Sequence, residues 1–354
     1  MNVNELNKEE VSQILSLFDK IKKEKLERER KFGKVKSIVH TDHKNKKFLA
    51  VGSTLYFSEK WKTFPDFLFE FVWRIFGKDW YDTESAKNIS DQNEIVKWFN
   101  KSLEFSETQM PNKNGLIVAN PNGFTSAYIL FAYDLFTVLN NNFNIDSLIK
   151  RLKNKIQFQG ARYELFCLAA CIRGGFNITL ENERDSSRKH VEFKITDPDT
   201  NLTFSVEAKS KHRSGMLGQP GDIIPDEKIR VGKITQLINN AVAKEKKHPL
   251  IIFLEFNLPP QFADFVIGGK SWNKILKIFD SVNKTDDGKD YFNLVILTNH
   301  PHHYGSDDLP DPERIYSLVY SLNPEHVISN DQSFNKVVYA ALQYGRVPND
   351  FDEI

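Results

Sequence analysis

Cysteine is scarce in this chain: Cys167 and Cys171 are the only two among 354 residues. They lie one helical turn apart, where two buried free thiols are expected rather than a disulfide or a metal site, and this points to a reducing compartment. An excess of charge of one sign is also missing. The 48 Lys and Arg against 47 Asp and Glu leave a net charge of +1, so global basicity advertises neither DNA nor a membrane surface, and any nucleic-acid surface has to be a local patch. No signal peptide or long apolar run is visible, which excludes a membrane-spanning reading and leaves the cytoplasm as the expected location. Repeats and long linkers are missing as well. What is present is a globular composition, 40% hydrophobic and 27% charged, with 28 Phe that should make the core rich in rings.

The most informative stretch runs from Gly160 to Lys211. In Val191-Glu192-Phe193-Lys194-Ile195, the apolar residues alternate with Glu192 and Lys194. In Leu202 to Lys209, the apolar set Leu202, Phe204, Val206 and Ala208 alternates with Thr203, Ser205, Glu207 and Lys209. Period-two alternation predicts two strands with one apolar face each, and the turn-rich connection Asp197-Pro198-Asp199-Thr200-Asn201 predicts an antiparallel hairpin. Two registers keep the apolar faces together. Pairing Ile195 with Leu202 sets Glu192 diagonal to Glu207, whereas pairing Ile195 with Phe204 sets the two acids opposite each other. Either way the carboxylates come within about 5–8 Å. Like charges that close need compensation, from a bound cation or from Lys194 and Lys209.

Around the hairpin, Ala161 to Arg173 reads as a mostly apolar helix ended by Gly174-Gly175, with Glu164 near its start. Glu164 is placed either to reach a metal at the sheet edge or simply to complement the helix N-terminus or pair with Arg162. A further helix is expected over Glu227 to Lys244, carrying Lys228, Arg230, Lys233 and Gln236, and buried strands over Pro249 to Leu254 and Asn293 to Thr298. Upstream, helices are expected over Asn4 to Lys31, Pro65 to Phe76, Glu94 to Leu103 and Thr125 to Leu139, with a short strand at Leu116 to Ala119. The last helix is expected over Ser333 to Gln343.

This order of parts resembles the PD-(D/E)XK, or restriction-endonuclease-like, nuclease superfamily. Its core is a helix with an acid, a strand with an acid, a strand carrying (D/E)-x-K, a helix that often supplies Lys or Gln, and further strands. The resemblance covers roughly residues 150 to 300. It implies an α/β fold with a mixed sheet flanked by helices, divided as a mostly helical region 1–150, a nuclease-like core 151–310 and a C-terminal helical extension 311–354. It further implies a Mg²⁺-dependent nuclease, with Mn²⁺ as substitute, acting on nucleic acid, DNA ahead of RNA, in defence or nucleic-acid processing. The matching catalytic residues are Glu164, Glu192, Glu207 and Lys209. The implied metal ligands are Glu192, Glu207 and the backbone carbonyl of Ala208, and Lys233 or Gln236 is the matching helix residue that meets nucleic acid. The pattern usually has Asp on the first strand where this chain has Glu192, so Asp185 stands as the alternative second ligand.

Past the Glu-x-Lys triplet, Ser210-Lys211-His212-Arg213-Ser214-Gly215 is a short basic run, read either as phosphate contacts from Lys211, His212 and Arg213 or as a soluble loop. His300, His302 and His303 form a cluster that lacks a matching Cys/His pair for a structural zinc. A homo-oligomer is left open. The sequence thus points to a metal-dependent nuclease, with a non-catalytic nucleic-acid-binding or protein-interaction module on the same fold as the alternative. A charged hairpin face that is merely solvated is the bland third reading.

Overall fold

The computed structural model describes residues 8–113, 115–116, 119–181, 190–223, 231–244, 247–259, 269, 272–300, 304, 316–328 and 332–353. Among these, α1 (Lys8–Phe32) leads into an antiparallel three-stranded sheet of β1 (Val39–His43), β2 (Lys46–Val51) and β3 (Thr54–Ser58). The sequence pattern predicts no strands over this stretch. The β1–β2 turn is built by Lys44 and Asn45, both at positive φ (47° and 63°), a conformation that carries no glycine or proline signature in this stretch. Five helices follow: α2 (Phe64–Phe76), α3 (Lys78–Ser85), α4 (Glu94–Glu107), α5 (Gly123–Asn140) and α6 (Asp146–Lys153). Their starts are capped as the sequence dictates. Thr63 and Asp66 form a reciprocal capping box ahead of α2, and Asn93 and Asn122 accept the first free N–H groups of α4 and α5. The expected strand at Leu116–Ala119 falls partly outside the described residues.

The remainder is a six-stranded mixed sheet with helices on both faces. In chain order it comprises α7 (Phe158–Arg173), β4 (Asn177–Leu180), β5 (Phe193–Thr196), β6 (Thr203–Ser210), α8 (Val231–Val242), β7 (Leu250–Glu255), α9 (Trp272–Asp280), β8 (Leu294–Thr298), β9 (Tyr316–Tyr320) and α10 (Gln332–Leu342). The strands lie side by side in sequence order, β6, β7 and β8 parallel and the outer junctions antiparallel. Central β7 and β8 are buried along their whole length, as expected of strands covered on both faces.

One sheet face carries Phe193, Ile195, Phe204, Val206, Ile251, Phe253, Leu294 and Ile296. It packs on α7 and joins a single apolar cluster with the ring-rich N-terminal helices, including Phe64, Phe67, Phe71, Phe131 and Phe136, and with Phe334 of α10. That cluster draws on all three of the sequence regions set out above. The other face places Leu250, Ile252, Leu254, Val295 and Leu297 against Ile234 and Ile238 of α8 and Ile275 and Ile278 of α9. Cys167 and Cys171 are buried free thiols within α7, and burial pushes both thiols up. Among the described residues no helix is long and apolar enough to cross a membrane.

Candidate functional site

The β5–β6 hairpin takes the register that pairs Ile195 with Phe204 and Phe193 with Val206. Its turn is fixed from both sides. The Asp197 carbonyl accepts the Asn201 N–H at 2.8 Å, Asn201 having positive φ (58°), while Ser333 Oγ and Lys336 Nζ of α10 each reach the Asp197 carboxylate at 2.6 Å. Glu192 lies just before β5, where its N–H donates to the Val206 carbonyl at 3.2 Å, so this register carries it next to Glu207.

Glu207 pairs laterally with Ile252 and therefore points to the α8–α9 side of the sheet, where its side chain is fully buried. Lys209, two residues on, shares that side and bonds to Glu207 Oε1. A second ammonium, Lys244 just beyond α8, lies 2.7 Å from the same Oε1 and 3.6 Å from Glu192 Oε1. Lys209 Nζ is 4.0 Å from Glu192 Oε1. Two carboxylates and two ammonium groups therefore converge. Glu207 Oε2 is buried and has no hydrogen-bond partner among the described residues. Ala208 turns its methyl to the opposite, apolar face, as strand alternation requires.

Burial dominates the electrostatics. Desolvation pushes the Glu207 carboxyl up to about 7; Lys209 and Lys244 pull it down and the like charge of Glu192 adds to the rise. Partial burial lowers the Lys244 pKa, but the charges of Glu207 and Glu192 outweigh it and hold that ammonium above its ordinary value. A buried acid with one bare oxygen, beside a second acid, is poised to accept a proton or a cation. Among the described residues no three carboxylate, imidazole or thiol groups make a ready-built cage. Two carboxylates with retained waters nonetheless suit Mg²⁺, which keeps much of its hydration, and the unpartnered Oε2 is a donor atom of the right hardness.

The other expected site residues are placed differently. The Glu164 carboxylate of α7 is gripped by Arg151 of α6 through two bonds of 2.7 Å, so its paired role is the one seen, with Arg151 rather than Arg162 as partner. Lys211 and Arg213 are buried, at 5% and 2% exposure, which corrects the picture of a basic loop held out to phosphate. Arg213 Nε donates to the Phe256 carbonyl at 2.7 Å, and its N–H donates to Gln159 Oε1. The loop is thus tied inward to α7 and to the end of β7, leaving His212 as the exposed member of the three. Lys233 and Gln236 are exposed on α8, and neither joins the cluster; among the described residues of this segment, Lys244 is the basic residue that does. Asp185, His302 and His303 lie outside the described residues, as do Lys228 and Arg230. His300 is buried, its Nδ1 at 3.0 Å from Glu255 Oε2 and its ring stacked on Tyr344, away from the Glu207 cluster on the α7 side of the sheet.

Lys244 is the member of this cluster that the sequence motif does not mark. The signal was there: a crossover helix returns its C-terminal end to the start of the next parallel strand, and Glu207 sits beside Ile252 near the start of β7. Comparison with protein-family models, with curated proteins and with solved structures returned no match to this chain.

Proposed function

We propose that this chain is a divalent-cation-dependent phosphodiesterase acting on nucleic acid, DNA ahead of RNA, on a restriction-endonuclease-like core. The observation that carries this reading is the half-satisfied Glu207: fully buried, its pKa lifted to about 7, with one bare oxygen beside Glu192 and Lys209. The order α7, β4, β5, β6, α8, β7, with the Glu-x-Lys strand β6 parallel to β7, supports it. Glu207 and Glu192 would hold Mg²⁺ or Mn²⁺, with the Ala208 carbonyl as the further ligand that the family resemblance implies. Bound there, the cation supplies Lewis acidity toward a phosphoryl oxygen and makes water more acidic. Lys209 supplies a positive charge that orients the attacking water or steadies charge on the phosphorane, so its contribution falls mainly in the transition state.

The test has two arms. Mn²⁺ should raise the melting temperature with concentration by mass action, and Glu207→Ala should remove that increment. Lys209→Ala should cut single-turnover cleavage of a DNA duplex at least about a hundredfold while binding changes little, and Lys209→Arg should rescue poorly. Unchanged cleavage by Lys209→Ala would sink the catalytic role.

The inward-facing Lys211 and Arg213, together with a Glu207 oxygen already shared by two ammonium groups, favour a second reading: a nucleic-acid-binding or protein-interaction module that does not cut. Nucleic-acid binding without metal-dependent cleavage in the wild type would decide for it.

A further inference from the structure

The ammonium of Lys244 lies between the two acids proposed as metal ligands. It is 2.7 Å from Glu207 Oε1 and 3.6 Å from Glu192 Oε1, which is the bridging position that a hard cation shared by these carboxylates would take. Lys209 contacts the same Glu207 oxygen from the strand itself, two residues from Glu207, so the sheet fixes its backbone beside the acids. Lys244 is different. It lies beyond the last residue of α8, Val242, and reaches the acids on its own flexible stem. Its side chain is 22% exposed and Glu192 is 27% exposed, so the ammonium has a route to water when it leaves.

We infer that Lys244 is a built-in occupant of the metal position, a tethered cation that neutralises Glu192 and Glu207 until a divalent ion displaces it. The inference rests on the metal-site reading given above and adds its regulation. A monovalent ammonium and a dication cannot share a bridging position between two carboxylates, because their mutual repulsion at hydrogen-bond distance opposes it. Loading the site therefore includes the work of expelling Lys244, which weakens apparent cation affinity. It also frees an ammonium at the rim, where a phosphate oxygen of an incoming strand is a ready partner. Cation and nucleic acid should then reinforce one another's binding, since whatever holds Lys244 away from the acids favours the metal, and linkage makes the effect mutual.

Isothermal titration of the full chain with Mn²⁺ tests this, using wild type, Lys244→Met, Lys244→Gln and Glu207→Gln. Both Lys244 variants should bind Mn²⁺ at least about tenfold more tightly than wild type, and Glu207→Gln should lose binding. A non-cleavable phosphorothioate DNA duplex should tighten Mn²⁺ binding to wild type and do so much less for Lys244→Met. In a Mn²⁺-soaked crystal the anomalous peak should touch Glu207 and Glu192, with Lys244 Nζ moved out of hydrogen-bond reach of both. Having two variants guards against one that fails to fold, as does a thermal melt of each in EDTA. Equal Mn²⁺ affinity in wild type and both Lys244 variants, abolished in each background by Glu207→Gln, would overturn the displacement while leaving the metal site standing. So would a metal peak with Lys244 still bonded to Glu207. No Mn²⁺ binding by any variant would overturn the displacement and the metal site together.

Discussion

Two buried acids on opposite sides of the same sheet are treated in opposite ways. Asp134 of α5 lies in the ring-rich core with both oxygens taken, Oδ2 by Arg162 and Oδ1 by Arg173, each at 2.8 Å. Both guanidinium groups are buried and lie over aromatic faces, Arg162 at 5.6 Å from the Phe131 ring and Arg173 at 5.7 Å from that of Tyr133. Glu207 is as deeply buried, yet its two ammonium partners crowd onto one oxygen and leave the other bare. An acid that serves the fold has its acceptors filled by rigid, planar donors. An acid half-filled by flexible point charges is the arrangement that the proposed cation site would use.

The largest expected effect breaks the structural half of that contrast. Asp134→Ala strands two buried guanidinium groups without their anion, and removing one partner from a buried charge network typically costs about 3–5 kcal/mol. Denaturant unfolding at neutral pH measures it. A loss below about 1 kcal/mol would mean that the arginines find other partners and that Asp134 is not the anchor drawn here.

Next comes the pH dependence of Glu207. In the folded chain burial pushes its carboxyl up to about 7, against an ordinary value of 4.5. Between those values the folded state binds more protons than the unfolded one, so stability falls as pH rises through this window and the penalty is complete above it. A shift of that size corresponds to about 3 kcal/mol. In EDTA, Glu207→Gln should therefore gain on wild type as pH rises from 4 to 8, with little difference at the acid end. Parallel stability curves for the two proteins would show that the lysines already satisfy Glu207, and the contrast with Asp134 would disappear.

The hairpin was legible because period-two alternation places Glu192, Glu207 and Lys209 on a common face whichever register forms. The register itself was not legible, since both options keep the apolar faces matched. It is pinned by Ser333 and Lys336, which reach Asp197 from well over a hundred residues away in sequence. The same limit hid Lys244, whose role depends on where a crossover helix ends in space. The run Lys211-His212-Arg213 misled for the converse reason. Its charges suggest solvent, but Arg213 donates Nε–H to the Phe256 carbonyl and the Gln159 side chain donates to the Arg213 and Met216 carbonyls, so the loop is tied to α7 and to the segment after β7. The three-stranded sheet has no clear signature in the sequence because the β1–β2 turn uses Lys44 and Asn45 at positive φ and because β1 is exposed along most of its length.

The smallest expected effect sharpens the contrast by adding a third acid. Glu164 sits on the helix where the family resemblance implies a site acid, but both its oxygens are held by Arg151, the same filling by arginine seen at Asp134. Its side chain is 16% exposed and that of Arg151 30%, so the pair keeps some solvent screening and is worth less than the Asp134 network. Glu164→Gln keeps one acceptor and gives up the charge, which should cost about 1–2 kcal/mol of stability. The Mn²⁺-dependent rise in melting temperature should be unchanged, because nothing in the Arg151 pairing draws on Glu207 or Glu192. If Glu164→Gln instead abolished the Mn²⁺ response at little cost in stability, the helix acid would belong to the metal site, and full pairing by arginine would no longer separate the acids that build this fold from those that act on a substrate.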